Sequence, residues 1–133
     1  MSSFHIFKVS ASAMQAQTTR LNTVASNLAN SESVAGSANE AYRARMPLFS
    51  TVLEGEMKGA VSVTGVAQSA AEIPSRYEPG HPLADENGYV FGSNVNPMEE
   101  MANMISASRA YQNSVEVMNT AKDLMTATIN MGK

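Results

Sequence analysis

The stretch that decides the fold is "NVNPMEEMANMISASRAYQNSVEVMNTAKDLMTATIN", residues 94–130. Asn96 can cap a helix, Pro97 suits its first position and Glu99 falls at N3, an arrangement like a capping box with Asn replacing Ser or Thr. Glu99 and Glu100 sit favourably in the positive field of the first turn. From there Met101, Met104, Ser108, Tyr111, Val115, Met118, Lys122, Met125 and Ile129 recur at heptad spacing. Val117, Ala121, Leu124, Thr128 and Met131 make a second stripe. One helix with two apolar stripes needs two partners.

The N-terminus offers the first partner. Phe7, Ser10, Met14, Gln17, Leu21, Val24 and Leu28 follow the same alternation of three and four, which predicts a helix over roughly Ser3 to Asn30. Asn30 suits its end, because Asn tolerates the left-handed conformation of a C-terminal cap. The outer face is unusual: Thr23, Ser26, Asn27 and Asn30 stand where a solvated helix carries Glu, Lys or Arg. Such residues are mediocre helix formers, since their side chains compete for backbone hydrogen bonds.

Charge is scarce at both ends. Charged residues make up 16% of the 133-residue chain, against about 25% in soluble domains generally. Arg20 is the single charge between residues 9 and 31, and Arg109 and Glu116 are the two between 101 and 121. The segment 32–100 holds 14 of the 21. The helical ends therefore lack an ion-rich exterior. Small uncharged side chains permit close helix approach, and Asn or Ser can hydrogen-bond across a contact once buried. These faces are expected to pack against other chains, Leu21, Val24, Ala25, Asn27, Leu28 and Asn30 at one end and Met104, Arg109, Tyr111, Val115, Met118 and Met125 at the other.

Between the helices lie seven of the eight glycines and four of the five prolines, which stop long helices. "YRARMPLF" alternates Tyr42, Ala44, Met46 and Leu48 with Arg43 and Arg45, a half-buried strand with Pro47 near an edge. "AVSVTGVA" alternates likewise. "ADENGYVF" sets Asn87-Gly88, a favoured hairpin turn, before Tyr89. The expected architecture is mainly α: two long antiparallel terminal helices, 1–31 and 96–133, around a small β-hairpin-containing insertion, 32–95, forming one structural unit.

Composition limits the chemistry. A net charge of −3 argues against a nucleic-acid footprint. The absence of cysteine removes disulfides and thiolate metal sites. No run approaches a membrane span, and "MSSFHIFKVSASAM" lacks the basic and apolar regions of a cleaved signal. His81, near Glu78, Asp85 and Glu86, raises a metal-binding or hydrolytic site as an alternative. One His with carboxylates on a Pro-flanked loop lacks the ligand spacing that a helix or ribbon supplies. No Gly-x-Ser-x-Gly elbow and no phosphate loop is present. Six of ten methionines fall from Met98 onward, fitting either core filling or an adaptable interface. Lys122 falls on the main seam, where either its stem packs and its ammonium snorkels outward or it joins a register-setting ion pair, and Arg109 beside Tyr111 is either an interface anchor or a solvated cation next to a core aromatic.

"LNTVASNLANSES" and "NVNPMEEMANMISASRAYQNSVEVMNTAKDLM" resemble the paired terminal signatures of bacterial flagellar rod and hook axial proteins. With "YEPGHPLADENGYV" before the last helix, the chain is similar over nearly its whole length to the proximal rod family, FlgC. "SVAGSANEAYRARMPLF" replaces the Thr-x-Gly-Tyr form of sister families, and Ser93 stands where a Pro often precedes Asn94. The resemblance implies a non-enzymatic subunit of the basal-body rod, without cofactor, metal or small-molecule substrate. It implies terminal helices paired into a coiled coil around a central export channel, in a rod that transmits motor torque across the periplasm. The implied partners are copies of the chain, other rod proteins, the MS-ring and export-gate proteins at the rod junction, and the flagellar type III export apparatus, which takes its substrates without cleaving a signal. Ala25 to Asn30 and Ser106 to Tyr111, matching the signatures, would be assembly contacts.

Overall fold

The computed structural model describes residues 3–133; Met1 and Ser2, included in the expected N-terminal segment, lie outside them. Seven elements follow in order: α1 (Ser3–Ala29), β1 (Val34–Ala35), β2 (Arg45–Thr51), β3 (Val61–Gln68), β4 (Ser75–Tyr77), β5 (Tyr89–Gly92) and α2 (Pro97–Met131). Two long helices thus bracket a small β insertion. β1, β5 and β4 form an antiparallel sheet in that order, with Ala35 and Ser75 both opposite Phe91 and Tyr77 opposite Tyr89. β2 and β3 pair separately.

The helix ends show how polar side chains stop a helix without charge. At the start of α2, Asn96 Oδ1 accepts the backbone N–H groups of Met98 and Glu99, at 3.1 and 3.4 Å. That is the cap read from the sequence. At the end of α1 the expected left-handed Asn30 is absent: no non-glycine residue among those described has positive φ. Asn30 instead donates its side-chain amide to Ser26 O at 2.8 Å, while the Ser31 and Ser33 hydroxyls donate to Leu28 O and Asn30 O. These side chains add a second bond to carbonyls that already accept the backbone N–H groups of Asn30, Ser31 and Ser33, so the end of the helix is held twice over. The "NSES" run is a C-terminal stop.

The chain divides into two compact units, and both helices contribute to each. The first comprises Met1–Leu21, Pro47–Gly65 and Ile105–Lys133; the second comprises Asn22–Met46 and Val66–Met104. In the first unit Ala16, Ala60, Ala107 and Ala121 are buried. In the second, Val24, Ala41, Val90 and Val95 are buried. Among the described residues the largest fully buried side chains are only Val90 and Asn27.

One of the two rows in the expected stripe of α2 is displaced by one position, while the other is where the spacing puts it. Glu100, Ala107 and Ala121 are buried, where Met101, Ser108 and Lys122 had been assigned to the seam; Met101 and Lys122 are exposed. Met104, Tyr111, Met118 and Met125 are half-buried on the same repeat. Alanine carries little weight in an apolar pattern, yet the buried stripe centres on it. The second stripe also proves uneven: Ala121 is buried, whereas Val117, Leu124 and Met131 are 50%, 64% and 82% exposed.

The Asn87-Gly88 turn likewise differs from a two-residue hairpin. Of the two turn residues only Gly88 has positive φ, +82°, and the strand preceding the turn, β4, ends back at Tyr77. Strands β1 and β4 were not anticipated; at two and three residues they show no periodicity of their own.

Candidate functional site

In the second unit, α1 ends on a polar hub. Asn27, 1% exposed, uses every hydrogen-bonding position of its carboxamide. Nδ2 donates to Arg45 O at 2.9 Å and to Glu100 Oε2 at 3.1 Å. Oδ1 accepts from Arg45 N–H at 2.9 Å and from the Tyr42 hydroxyl at 3.0 Å. Because the Tyr42 proton is committed to Asn27, the Ser26 hydroxyl donates to the Tyr42 oxygen, 3.1 Å away. The Arg45 guanidinium lies 5.7 Å from the Tyr42 ring centroid, within cation–π reach. A buried amide with all four bonds made costs little to desolvate and demands one geometry. Asn27 therefore fixes the last turn of α1 to the first turn of α2 and to the start of β2.

A second amide, Asn94, continues the same construction. Its Oδ1 accepts Ala44 N–H at 2.6 Å and its Nδ2 donates to Ala71 O at 3.0 Å. Arg43 Nη1 donates to Ser69 O and Ala71 O, both at 3.2 Å. Ser93 accepts Val95 N–H on its hydroxyl at 3.1 Å. That hydroxyl supplies a local turn that a proline ring would impose by restricting φ.

In the first unit, the connection between β2 and β3 is tied to the N-terminal half of α1. His5 Nε2 donates to Lys58 O at 2.8 Å, a carbonyl that can only accept. Lys8 Nζ pairs with Glu56 Oε2 at 3.1 Å. The Ser12 hydroxyl accepts Val61 N–H at 3.0 Å while donating to Val9 O. Further along the same unit, Ile6 lines an apolar depression with Val117, Thr120, Ala121 and Leu124.

The residues expected at an interface fall into distinct settings. Val24 and Asn27 are buried; Leu21, Leu28, Asn30, Met104, Tyr111, Val115, Met118 and Met125 are half-buried; Ala25 and Arg109 are exposed. Asn27 and Asn30 are committed to bonds within the chain. Tyr42, Arg45, Asn94 and Glu100, which complete the hubs, were not singled out as site residues. The unusual burial of a carboxylate at Glu100 has no local sequence signal, because its partner Asn27 is 73 residues away.

His81 belongs to a self-contained loop. Its Nδ1 accepts Leu83 N–H at 3.0 Å, and Asp85 Oδ1 accepts Asn87 and Tyr89 N–H groups. Among the described residues no three His, Cys, Asp or Glu side chains are grouped to hold a metal ion. No described helix is long and apolar enough to cross a membrane.

Comparison with known proteins agrees with this layout at both ends. Residues 7–36 match the family described as "Flagella basal body rod protein", and residues 86–131 match "Flagellar basal body rod FlgEFG protein C-terminal". The flagellar basal-body rod protein FlgC of Salmonella typhimurium is 46% identical over the full length of both chains, and that of Yersinia enterocolitica is 44% identical over the full length of both. A more divergent FlgC, from Buchnera aphidicola subsp. Schizaphis graminum, is 39% identical, again end to end. Two terminal helices bearing the rod signatures, joined by a small β insertion and related along their whole length to rod components, place this chain in the FlgC family of flagellar basal-body rod proteins, which are structural subunits and not enzymes.

Proposed function

We propose that the two helices pair as an antiparallel coiled coil and pack with neighbouring subunits into a helical wall around the export channel. The chain would thereby transmit motor torque across the periplasm, as a subunit exported without a cleaved signal. The observation that carries this reading is an inverted distribution of bulk. The chain buries alanine, valine and an amide, and turns Met101, Ile105, Val117, Leu124, Ile129 and Met131 of α2 outward. Isolated apolar side chains on a surface are ordinary; a helix exposing its largest ones while burying its smallest is not.

Pairing in opposite directions is supported by contacts inside each unit. Ile6, early in α1, shares a depression with Ala121, late in α2; Asn27, late in α1, bonds Glu100, early in α2. The outer faces supply the assembly energy. Burying a side chain the size of Leu or Ile contributes about 1.5–3 kcal/mol, so several per subunit offset the roughly 4–15 kcal/mol cost of association. Contacts between unlike patches on successive copies propagate as an open helix, whereas a self-complementary patch would close as a dimer. Many such shallow contacts act together against twist. Neighbours of the same construction, other rod proteins and the MS-ring and export-gate components at the base, fit the ends of such a wall.

Leu124→Asp tests the reading. Leu124 is exposed within the chain, so the variant is expected to keep wild-type circular dichroism and to be exported normally. It should fail to enter basal bodies and leave cells non-motile. Wild-type swimming by cells carrying only this variant would refute the packing role of that face.

A further inference from the structure

Asn87-Gly88 is the only Asn-Gly step in the sequence. Such a step is intrinsically unstable: the glycine nitrogen, unhindered by a following Cβ, can attack the asparagine side-chain carbonyl. Here the two reacting groups are treated differently. Asn87 is exposed to water, whereas Gly88 is buried. The Gly88 N–H donates to Asp85 O at 3.0 Å, and Gly88 O accepts Glu78 N–H at 2.9 Å. On either side, the Asn87 and Tyr89 N–H groups both donate to Asp85 Oδ1, at 2.9 and 2.8 Å. Asp85 N–H closes the loop on Tyr89 O at 2.9 Å. Tyr77 and Pro79 cover Gly88 so closely that a Cβ there would lie 2.8 Å from Tyr77 Cε2 and 3.1 Å from Pro79 Cβ. The nucleophile is occupied and immobile, while the electrophile stands in solvent.

We propose that Asn87-Gly88 is a latent deamidation site, which the Asp85 carboxylate and the Tyr77–Pro79 cover keep closed in the folded chain and which opens when this loop comes undone. In the open loop the Gly88 nitrogen forms a bond to Asn87 Cγ. The bond from Cγ to the amide nitrogen breaks, and ammonia leaves with the proton that Gly88 gave up. Water then opens the cyclic imide at one of its two carbonyls, giving aspartate or a β-linked isoaspartate; nothing is oxidised or reduced. The isoaspartyl product lengthens the main chain by one methylene group. Gly88 can then no longer reach Asp85 O while lying beneath Tyr77. A chain that has lingered with this loop open is thereby marked and is hindered from closing it again.

The test is to incubate the full-length protein in warm neutral buffer, with and without denaturing urea, and follow the peptide containing Asn87 by mass spectrometry and isoaspartate assay. Hydrogen bonds from backbone amides to a carboxylate are each worth about a factor of ten or more in the opening equilibrium. The folded protein is therefore expected to deamidate at Asn87 at least about tenfold more slowly than the unfolded chain. Asp85→Ala removes two such bonds and should accelerate the reaction in native buffer by about a hundredfold, and Asp85→Asn, which keeps an oxygen acceptor without the charge, should fall between it and wild type. Equal rates in folded and unfolded protein would overturn the proposal; that comparison needs no variant and so stands even should Asp85→Ala fail to fold. An Asp85→Ala protein with native circular dichroism and wild-type deamidation would overturn it too.

Discussion

Replacing Asn27 by aspartate is nearly isosteric, and the hub predicts that it is severe. Both bonds to Oδ1 survive, from Tyr42 and from Arg45 N–H. The other position changes from a donor to an oxygen that faces Arg45 O at 2.9 Å and Glu100 Oε2 at 3.1 Å. Two acceptors lose their donor, and one of them is a carboxylate in a buried setting. Unsatisfied buried groups cost about 1–3 kcal/mol each, and breaking a buried charged arrangement costs about 3–5 kcal/mol. A loss of about 3–5 kcal/mol is a large part of the roughly 5–15 kcal/mol that stabilises a domain. For a chain of this size it lowers the melting temperature by about 10–15 °C. The loss should also depend on pH with a definite sign. The introduced carboxyl, close to Glu100, binds its proton more tightly in the folded state than in the unfolded one. Protonated, it can again donate, so the deficit relative to wild type is smallest in acid and grows as pH rises through the folded-state titration. Thermal melts followed by far-ultraviolet circular dichroism across that range read both effects. A variant melting within about 2 °C of wild type at neutral pH, or with a deficit that does not change with pH, would refute the four-bond account.

Other substitutions separate the contributions. Gly88→Ala combines positive φ with a methyl group pressed against Tyr77; it should lose more than the roughly 1 kcal/mol typical of αL strain, measured by urea titration. Asn96→Ala removes the acceptor for the Met98 and Glu99 N–H groups and should cost about 1 kcal/mol, with hydrogen exchange quickening in the first turn of α2. Gln17 has a buried side-chain oxygen without a hydrogen-bond partner, so Gln17→Met is expected to raise the melting temperature by a few degrees, since an unsatisfied buried acceptor costs about 1–3 kcal/mol.

The helices were legible because their stop and start signals are local: Asn96, Pro97 and the "NSES" run act on neighbours within four residues. β3 was legible by alternation, and its exposure alternates throughout. β1 and β4 were not, because strands so short exist only by pairing with β5. Met104, Tyr111, Met118 and Met125 fall on the buried side as their spacing implies, but the other row of the stripe lies one residue earlier, because hydrophobicity favours Met101 over Glu100 and discounts Ala107 and Ala121. In the structure, small residues and the partner of a remote amide occupy the buried face. Asn27 could be recognised as an odd residue for a helix surface, yet not as a hub, since its partners lie 15, 18 and 73 residues away.

The reach of the Asn27 bonds has a consequence for timing. A polypeptide delivered from its N-terminus, as every ribosome delivers one, brings out this amide long before Glu100 exists to receive it. Until three-quarters of the chain has emerged, this amide can engage only Tyr42 and Arg45, and it cannot yet tie the first helix to the second. The junction can therefore lock only near the end of delivery, which leaves the growing chain threadable for most of that interval.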